Sequence, residues 1–212
     1  MDDRLIDLPA RELIERLATS APVPGGGSAA ALAGAMAAAL VQMVVDLTSG
    51  RPAAAEHEAT LGRVRETAAR LRIELLELAE IDSAAYEAVV VARRMPRDSD
   101  AERAARDARI LDATRQATDA PRRIMRASEQ VLGLAEELAP IGNRNAVSDV
   151  GVGALLASAG LRGGALNVAI NLPYLPDADP MRNEAAGEVA RLTAGLAERE
   201  VALREAVEAR LG

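Results

Sequence analysis

The chain has 212 residues, with 25 basic and 32 acidic side chains and a net charge of −7 at pH 7. All 25 basic residues are arginines, which excludes Schiff-base chemistry on a lysine, and the absence of cysteine excludes disulfides, thiolate metal sites and thiol nucleophiles. The single histidine, His57, lies in an acidic stretch that predicts a surface position, and it cannot form a multi-histidine metal site within one chain. An acidic chain without a basic tract is also unsuited to general nucleic-acid binding.

The composition favours an all-α fold. Phenylalanine and tryptophan are absent, the only aromatic residues are Tyr86 and Tyr174, and 47 residues are alanine. Small and aliphatic side chains suit close helix packing, and no stretch alternates apolar and polar residues as a half-buried strand would. We therefore expect a single domain over residues 1–212, a bundle of long antiparallel helices.

In the first half of the chain, the apolar pattern predicts an amphipathic helix over Leu5–Thr19, and then a loop rich in proline and glycine. Ser28 is placed to cap a second helix that ends near Thr48, and its many small residues predict the central helix of the bundle. From Glu56 to Met95 apolar residues recur at spacings of three and four, which indicates a coiled-coil-like seam.

In the second half, Asp98 or Ser99 is expected to cap the next helix, and Pro121 is expected to mark a kink or a new helix that ends near Ala139. Asn145 or Ser148 is a candidate cap for a glycine-rich helix that reaches Leu172 and packs on the alanine-rich one. A charged terminal helix is expected over Met181–Leu211.

The location is expected to be cytoplasmic, without membrane contact. The N-terminus is acidic rather than basic, unlike a signal peptide. The apolar stretch Ala29–Val45 is shorter than the roughly 20 residues of a membrane span and consists mostly of alanine and glycine.

Polar residues interrupt the apolar pattern at three places. Asp82 occupies a seam position, with Tyr86 one turn later on the same face. A buried carboxylate is costly unless it is paired, so Asp82 is either a core residue satisfied by a neighbouring helix or a site residue.

The second place is the cluster from Gly142 to Asp149, which includes Asn143. Capping accounts for one of its polar residues but not for all of them. The third is the pair Asn167 and Asn171, four residues apart in an otherwise apolar stretch. Their carboxamides either satisfy a helix end or bind the polar edge of a heterocycle.

A glycine run, Gly25, Gly26 and Gly27, followed by Ser28, begins the second helix. Exposed backbone N–H groups at a helix N-terminus favour an anion or a ligand carbonyl. The match to a dinucleotide-binding pattern is spurious because no strand precedes it, and the lysine of a P-loop is missing.

Taken together and in order, four segments resemble the cyclodeaminase/cyclohydrolase family, which includes the deaminase half of formiminotransferase-cyclodeaminase and the stand-alone methenyltetrahydrofolate cyclohydrolase. The segments are Pro22–Ala31, Asp82 with Tyr86, Ile141–Gly151, and Asn167–Leu172. The resemblance covers the whole chain without room for a formiminotransferase domain. It implies an all-helical homodimer that acts on a one-carbon tetrahydrofolate derivative, with no metal and no cofactor beyond that substrate.

The reaction implied by the resemblance is either cyclodeamination of the 5-formimino derivative or hydrolysis of the 5,10-methenyl ring. Both need a base, an acid and negative charge beside a cationic carbon between two nitrogens. Asp82 and Asp149 are the expected catalytic pair. Gly25, Gly26, Gly27, Ser28, Tyr86, Asn143, Asn167 and Asn171 are the expected substrate-binding residues, and Arg94 or Arg144 is the expected partner of the glutamate tail.

Two other classes of function remain open at this point. One is a folate-binding or helical scaffold protein without turnover. The other is a membrane-associated helical protein, and the only feature that favours this hypothesis is the apolar stretch Ala29–Val45. Turnover of methenyltetrahydrofolate and solubility without detergent distinguish them.

Overall fold

The computed structural model describes residues 4–211 and confirms the all-α prediction, because no strand forms within that range. The α-helices are α1 (Ala10–Leu17), α2 (Gly26–Thr48), α3 (Glu58–Arg93), α4 (Asp100–Leu138), α5 (Val147–Asn171), α6 (Pro180–Thr193) and α7 (Leu196–Leu211). Short 3-10 helices precede or follow several of them, at Leu5–Asp7, Pro52–His57, Arg144–Ala146 and Leu172–Tyr174.

Helices α2 to α5 form the four-helix core. α2 packs against α3 and α5, α4 packs against the same two helices, and α2 approaches α4 across the diagonal. The predicted seam of α3 is confirmed, since Leu61, Val64, Ala68, Leu71, Leu75 and Leu78 are all fully buried. Small residues make the close α2–α5 contact possible. A Cβ atom at Gly163 would lie 2.8 Å from the Cβ of Ala30, and one at Gly160 would lie 3.0 Å from the Ala30 carbonyl oxygen.

Four expected boundaries were wrong. No new helix begins at Pro121, because α4 runs through it, and the terminal segment is two helices because Gly195 adopts a left-handed φ of 67° that ends α6. The N-terminal segment is a 3-10 turn followed by α1, whose N-cap residue is Pro9. α5 begins after Ala146, so neither Asn145 nor Ser148 caps it. Ser99 does cap α4, in a capping box with Glu102.

Helices α3 and α4 are much longer than α2 and α5, so their connected ends project beyond the four-helix core as a two-helix arm. At 1.5 Å per residue, α4 with its 39 residues is about 20 Å longer than α5 with 25. The arm has its own small core, made of Ala85, Val89, Ala92, Ala113 and Ala117. The corner between the arm and the end of the core is where a cleft forms.

Two stretches are long and apolar enough, by length and composition, to cross a membrane: α2, and the span Arg144–Tyr174 that contains α5. Of their most apolar windows, 56% and 44% of the residues are buried inside the bundle. Both helices belong to the packed core described above, as α2 was predicted to.

Candidate active site

The cleft in this corner has a volume of about 340 Å³, within the range of small-molecule sites. Residues from four separate parts of the chain line it: Gly25, Gly26, Gly27, Asp82, Tyr86, Arg93, Thr114, Ala117, Asn167, Asn171 and Tyr174. Most of the residues singled out in the sequence are thus brought together, and apolar walls come from Val23, Val89, Val90 and Ile170.

Asp82 reaches from α3 to the N-terminus of α2. Its Oδ2 accepts a hydrogen bond of 3.2 Å from Ser28 Oγ, which also lies 2.9 Å from the Ala79 carbonyl oxygen and 3.0 Å from Ser83 Oγ. The carboxylate fills the space that a side chain at Gly27 would need, because a Cβ there would lie 2.5 Å from Asp82 Oδ2. Ser28 therefore does not cap its own helix as predicted. Asp82, from another helix, takes the place of the missing cap.

Burial raises the pKa of Asp82, although hydrogen bonds from the hydroxyl and the backbone N–H of Ser28 act in the opposite direction and lower it. Within residues 4–211 no arginine pairs with this carboxylate, unlike that of Glu188, another half-buried acid, which pairs with Arg122 and Arg126. A desolvated aspartate with a raised pKa at the edge of a cleft is a candidate general base.

Asn167 and Asn171 line the wall of the cleft that is formed by α5. Pro121 has no N–H to give to the carbonyl of Ala117 one turn earlier, and Asn171 Nδ2 donates to that oxygen instead, at 2.8 Å. This contact explains how α4 passes through Pro121 unbroken. Asn167 Nδ2 donates to the Gly163 carbonyl at 2.9 Å. Asn171 Nδ2 also donates to the Asn167 carbonyl at 3.0 Å, so both of its N–H groups are used inside the protein, whereas Asn167 uses only one of its two. The side-chain oxygens of both residues and the second N–H of Asn167 are left to meet a ligand.

Both aromatic residues of the chain lie at the cleft, and both are exposed: Tyr86 by 46% and Tyr174 by 58%. The Arg93 guanidinium stands over the Tyr174 ring, 5.1 Å from its centroid. Sequence reasoning missed Arg93 and Tyr174. Helical periodicity was the signal for Arg93, which lies 11 residues, close to three turns, after Asp82 and shares its face. Arg94 is rotated a further 100° away.

Five of the expected residues do not line the cleft. Ser28 is fully buried next to Asp82. Asn143 donates from Nδ2 to the Leu47 carbonyl at the C-terminus of α2, and the Arg144 Nε donates to the Arg210 carbonyl. Asp149 is in the first turn of α5, 18 residues before Asn167 on the same helix, or about 27 Å along its axis. Within one chain, Asn143, Arg144 and Asp149 therefore cannot join the cleft. Arg94 does not line it either.

No group of three or more histidine, aspartate or glutamate side chains is placed to hold a metal ion in the part of the chain that the structure describes. What the cleft offers is one half-buried carboxylate, two tyrosine rings, a guanidinium and two amide oxygens. These groups fit a flat, cationic, nitrogen-rich ring with an anionic or polar extension.

Comparison with known proteins agrees with this chemistry. The family model described as formiminotransferase-cyclodeaminase matches residues 9–190. A methenyltetrahydrofolate cyclohydrolase from Methylorubrum extorquens is 47% identical over 164 residues, 77% of this chain and 79% of that protein. A rat formimidoyltransferase-cyclodeaminase is 30% identical over 176 residues, and this chain spans only 32% of its length.

Among solved structures, the formiminotetrahydrofolate cyclodeaminase of Thermotoga maritima superposes with a TM-score of 0.86 at 27% identity, and covers 98% of this chain and 100% of that one. Three of the four sequence segments that carry the resemblance line the cleft, and the fourth, Ile141–Gly151, does not. The chain belongs to the formiminotransferase-cyclodeaminase family.

Proposed function

We propose that this chain is a one-carbon tetrahydrofolate enzyme that opens the ring of 5,10-methenyltetrahydrofolate with water to give 10-formyltetrahydrofolate. The observation that carries the proposal is the half-buried Asp82 carboxylate, with its raised pKa, at the edge of a cleft that also holds both tyrosines. The 47% identity to a protein named for this reaction favours it over the alternative reaction of the family.

The substrate fits the cleft by its chemistry. Its fused ring is flat and carries positive charge at the carbon between N5 and N10, which favours contact with tyrosine faces and a nearby carboxylate. The oxygens of Asn167 and Asn171 accept hydrogen bonds from ring nitrogens, and backbone N–H groups at the start of α2 meet a ring carbonyl. Arg93 lines the cleft and is the cation that would bind the anionic glutamate tail.

Asp82 acts as the base. Its carboxylate takes a proton from a water molecule whose oxygen attacks the cationic carbon, and a neutral tetrahedral centre forms between the two nitrogens. The bond from that carbon to N5 then breaks, N5 receives a proton, the hydroxyl loses one, and the formyl group remains on N10. The overall step consumes one water and releases one proton. A raised pKa makes Asp82 a stronger base, and its negative charge favours binding of the cationic ring before attack.

Cyclodeamination of the 5-formimino derivative is the second candidate, favoured by the structural match to the Thermotoga maritima enzyme. It passes through the same kind of tetrahedral carbon, with N10 as the nucleophile and ammonia as the leaving group. Asp82 would then take its proton from N10.

The test is to offer methenyltetrahydrofolate and 5-formiminotetrahydrofolate separately and to follow methenyl absorbance, which falls in the first reaction and rises in the second. We expect a fall faster than the spontaneous rate, and we expect Asp82→Asn to slow it at least about a hundredfold. A rise with the formimino substrate alone supports cyclodeamination. Tight binding of methenyltetrahydrofolate without turnover would favour a folate-binding protein and contradict the proposal.

The proposal also includes three expectations from the sequence, on cofactors, location and oligomeric state. The enzyme needs no cofactor beyond its folate substrate and no metal. It works in the cytoplasm without membrane contact, and it forms a homodimer. The dimer is supported by the apolar faces of α2 and α5, which are described next.

A further inference from the structure

The outward faces of α2 and α5 are apolar and lie side by side. α2 carries no charged side chain from Gly26 to Val45, and α5 carries only Asp149 and Arg162. Large apolar side chains on these two helices are between 39% and 72% exposed: Met36, Met43, Leu47, Val152, Leu155, Leu166 and Ile170. Contiguous exposed apolar surface of this kind marks an interaction site.

The size of this surface suits a second copy of the chain. α2 has 23 residues, which gives a length of about 34 Å, and two adjacent helices are together about 20 Å wide. Such a face buries about 700 Å² on each subunit, and the total of about 1,400 Å² lies within the usual range for stable complexes. A membrane is a poorer occupant, because the other faces of both helices are packed inside the bundle.

The face also has a groove beside the first half of α5 and a projecting apolar side chain on the second half. An apolar groove of about 560 Å³ runs between the first half of α5 and α7, with Val152 and Leu155 in its lining. Leu166, in the second half of α5, is 72% exposed. Val152 and Leu166 lie at equal distances in sequence from Ala159. A two-fold axis that crosses α5 at Ala159 therefore lays the partner's Leu166 over the groove, as an isologous contact requires.

The same axis acts on Asp149. Asp149 and Asn167 are five helical turns apart, so they share one face of α5. Among residues 4–211 the Asp149 carboxylate makes no ion pair or hydrogen bond, and it is half-buried. Reversal about Ala159 brings the partner's Asp149 opposite Ala169, next to Ile170 in the wall of the cleft.

We propose that the dimer pairs α5 with its copy in antiparallel fashion, so that the partner's Asp149 supplies the second acidic group of each cleft. This inference rests on the proposed function. Ring opening needs proton transfers on both sides of the tetrahedral carbon, at the water and at N5, and Asp82 serves one of them. The partner's Asp149 serves the other. The two aspartates expected from the sequence then work together across the subunit boundary, although one chain holds them far apart.

Mixed dimers test the catalytic part. We expect Asp82→Asn and Asp149→Asn each to lose at least about a hundredfold in turnover, while the exposed Asp107→Asn on the arm retains it. When the two inactive chains are co-expressed in equal amounts, half of the dimers are mixed and each has one intact site, so turnover returns to about a quarter of the wild type. If both aspartates served the site of their own chain, no mixed dimer would have an intact site. Absence of rescue, or full activity of Asp149→Asn, overturns the proposal.

Cross-linking tests the geometry without turnover and does not depend on the Asp149 variant folding. The chain has no cysteine, so Ala159→Cys introduces a single thiol at the expected axis, where a disulfide between copies requires Cα atoms within about 7 Å. We expect covalent dimers on oxidation, and none from Ala108→Cys on the arm. A protein that stays monomeric, requires detergent, or cross-links equally at both positions overturns the pairing. A protein that cross-links only through Ala159→Cys but turns over neither folate supports the pairing and contradicts the proposed function alone.

Discussion

Gly27→Ala is a direct test of whether Asp82 acts from the place where the structure puts it. The added methyl would lie 2.5 Å from the Asp82 Cγ and Oδ2 atoms, whereas ordinary contacts begin near 3.4 Å. The carboxylate must therefore move by at least about 0.9 Å, and displacement of a reacting group by 1 Å can cost about a hundredfold in rate. We expect kcat/KM to fall by about that factor, which corresponds to about 2.7 kcal/mol of transition-state stabilisation.

The fold should tolerate this change, because Gly27 lies in the first turn of α2 with an ordinary backbone conformation and only the end of one side chain has to move. Gly133→Ala is the matched control. It adds the same methyl inside α4, where it meets nothing within 4 Å, and should stabilise the protein by about 0.5–1 kcal/mol without effect on rate. The assay is loss of methenyl absorbance, with thermal unfolding followed in parallel. Wild-type kcat/KM in Gly27→Ala would refute the role of Asp82.

Two further predictions concern hydrogen bonds. Ser28→Ala removes the hydroxyl hydrogen bond that lowers the pKa of Asp82 and keeps the backbone one. The pKa should therefore rise further, and the acidic limb of the kcat/KM profile should move to higher pH. A limb that stays in place or moves to lower pH contradicts this assignment. Asn171→Ala leaves the Ala117 carbonyl without its donor and should lower the free energy of unfolding by about 1–2 kcal/mol. In a Pro121→Ala background the restored N–H can donate to that carbonyl, so Asn171→Ala should lower the free energy of unfolding by less. Urea denaturation measures both losses. Equal losses in the two backgrounds would contradict the role given to this hydrogen bond.

Much of the fold could be predicted from periodicity and residue size. The seam of α3 identified its buried residues, and Asp82 stood out because it interrupts that seam. The glycines of α5 predicted its close contact with α2. The expectation of a new helix at Pro121 was wrong because the rule that proline interrupts a helix considers only the helix that contains it. The donor that repairs the gap, Asn171, comes from another helix 50 residues away.

The site could be predicted only in part, for geometrical reasons. Asp149 and Asn167 lie on one helix, and the helical rise alone places them too far apart for a single cleft in one chain. Tyr174 follows α5 in a short 3-10 turn, and its position depends on how that turn ends the helix. Arg93 differs from Arg94 by one residue, so only a consistent helical register from Asp82 separates them.

Because both tyrosines lie at the cleft, their intrinsic fluorescence can report ligand binding. With no tryptophan in the chain, ultraviolet emission comes from Tyr86 and Tyr174 alone, and both lie where a bound ring would quench them or accept their excitation energy. Titration of unlabelled protein with a folate should therefore report occupancy of this one location, free of background from the rest of the bundle.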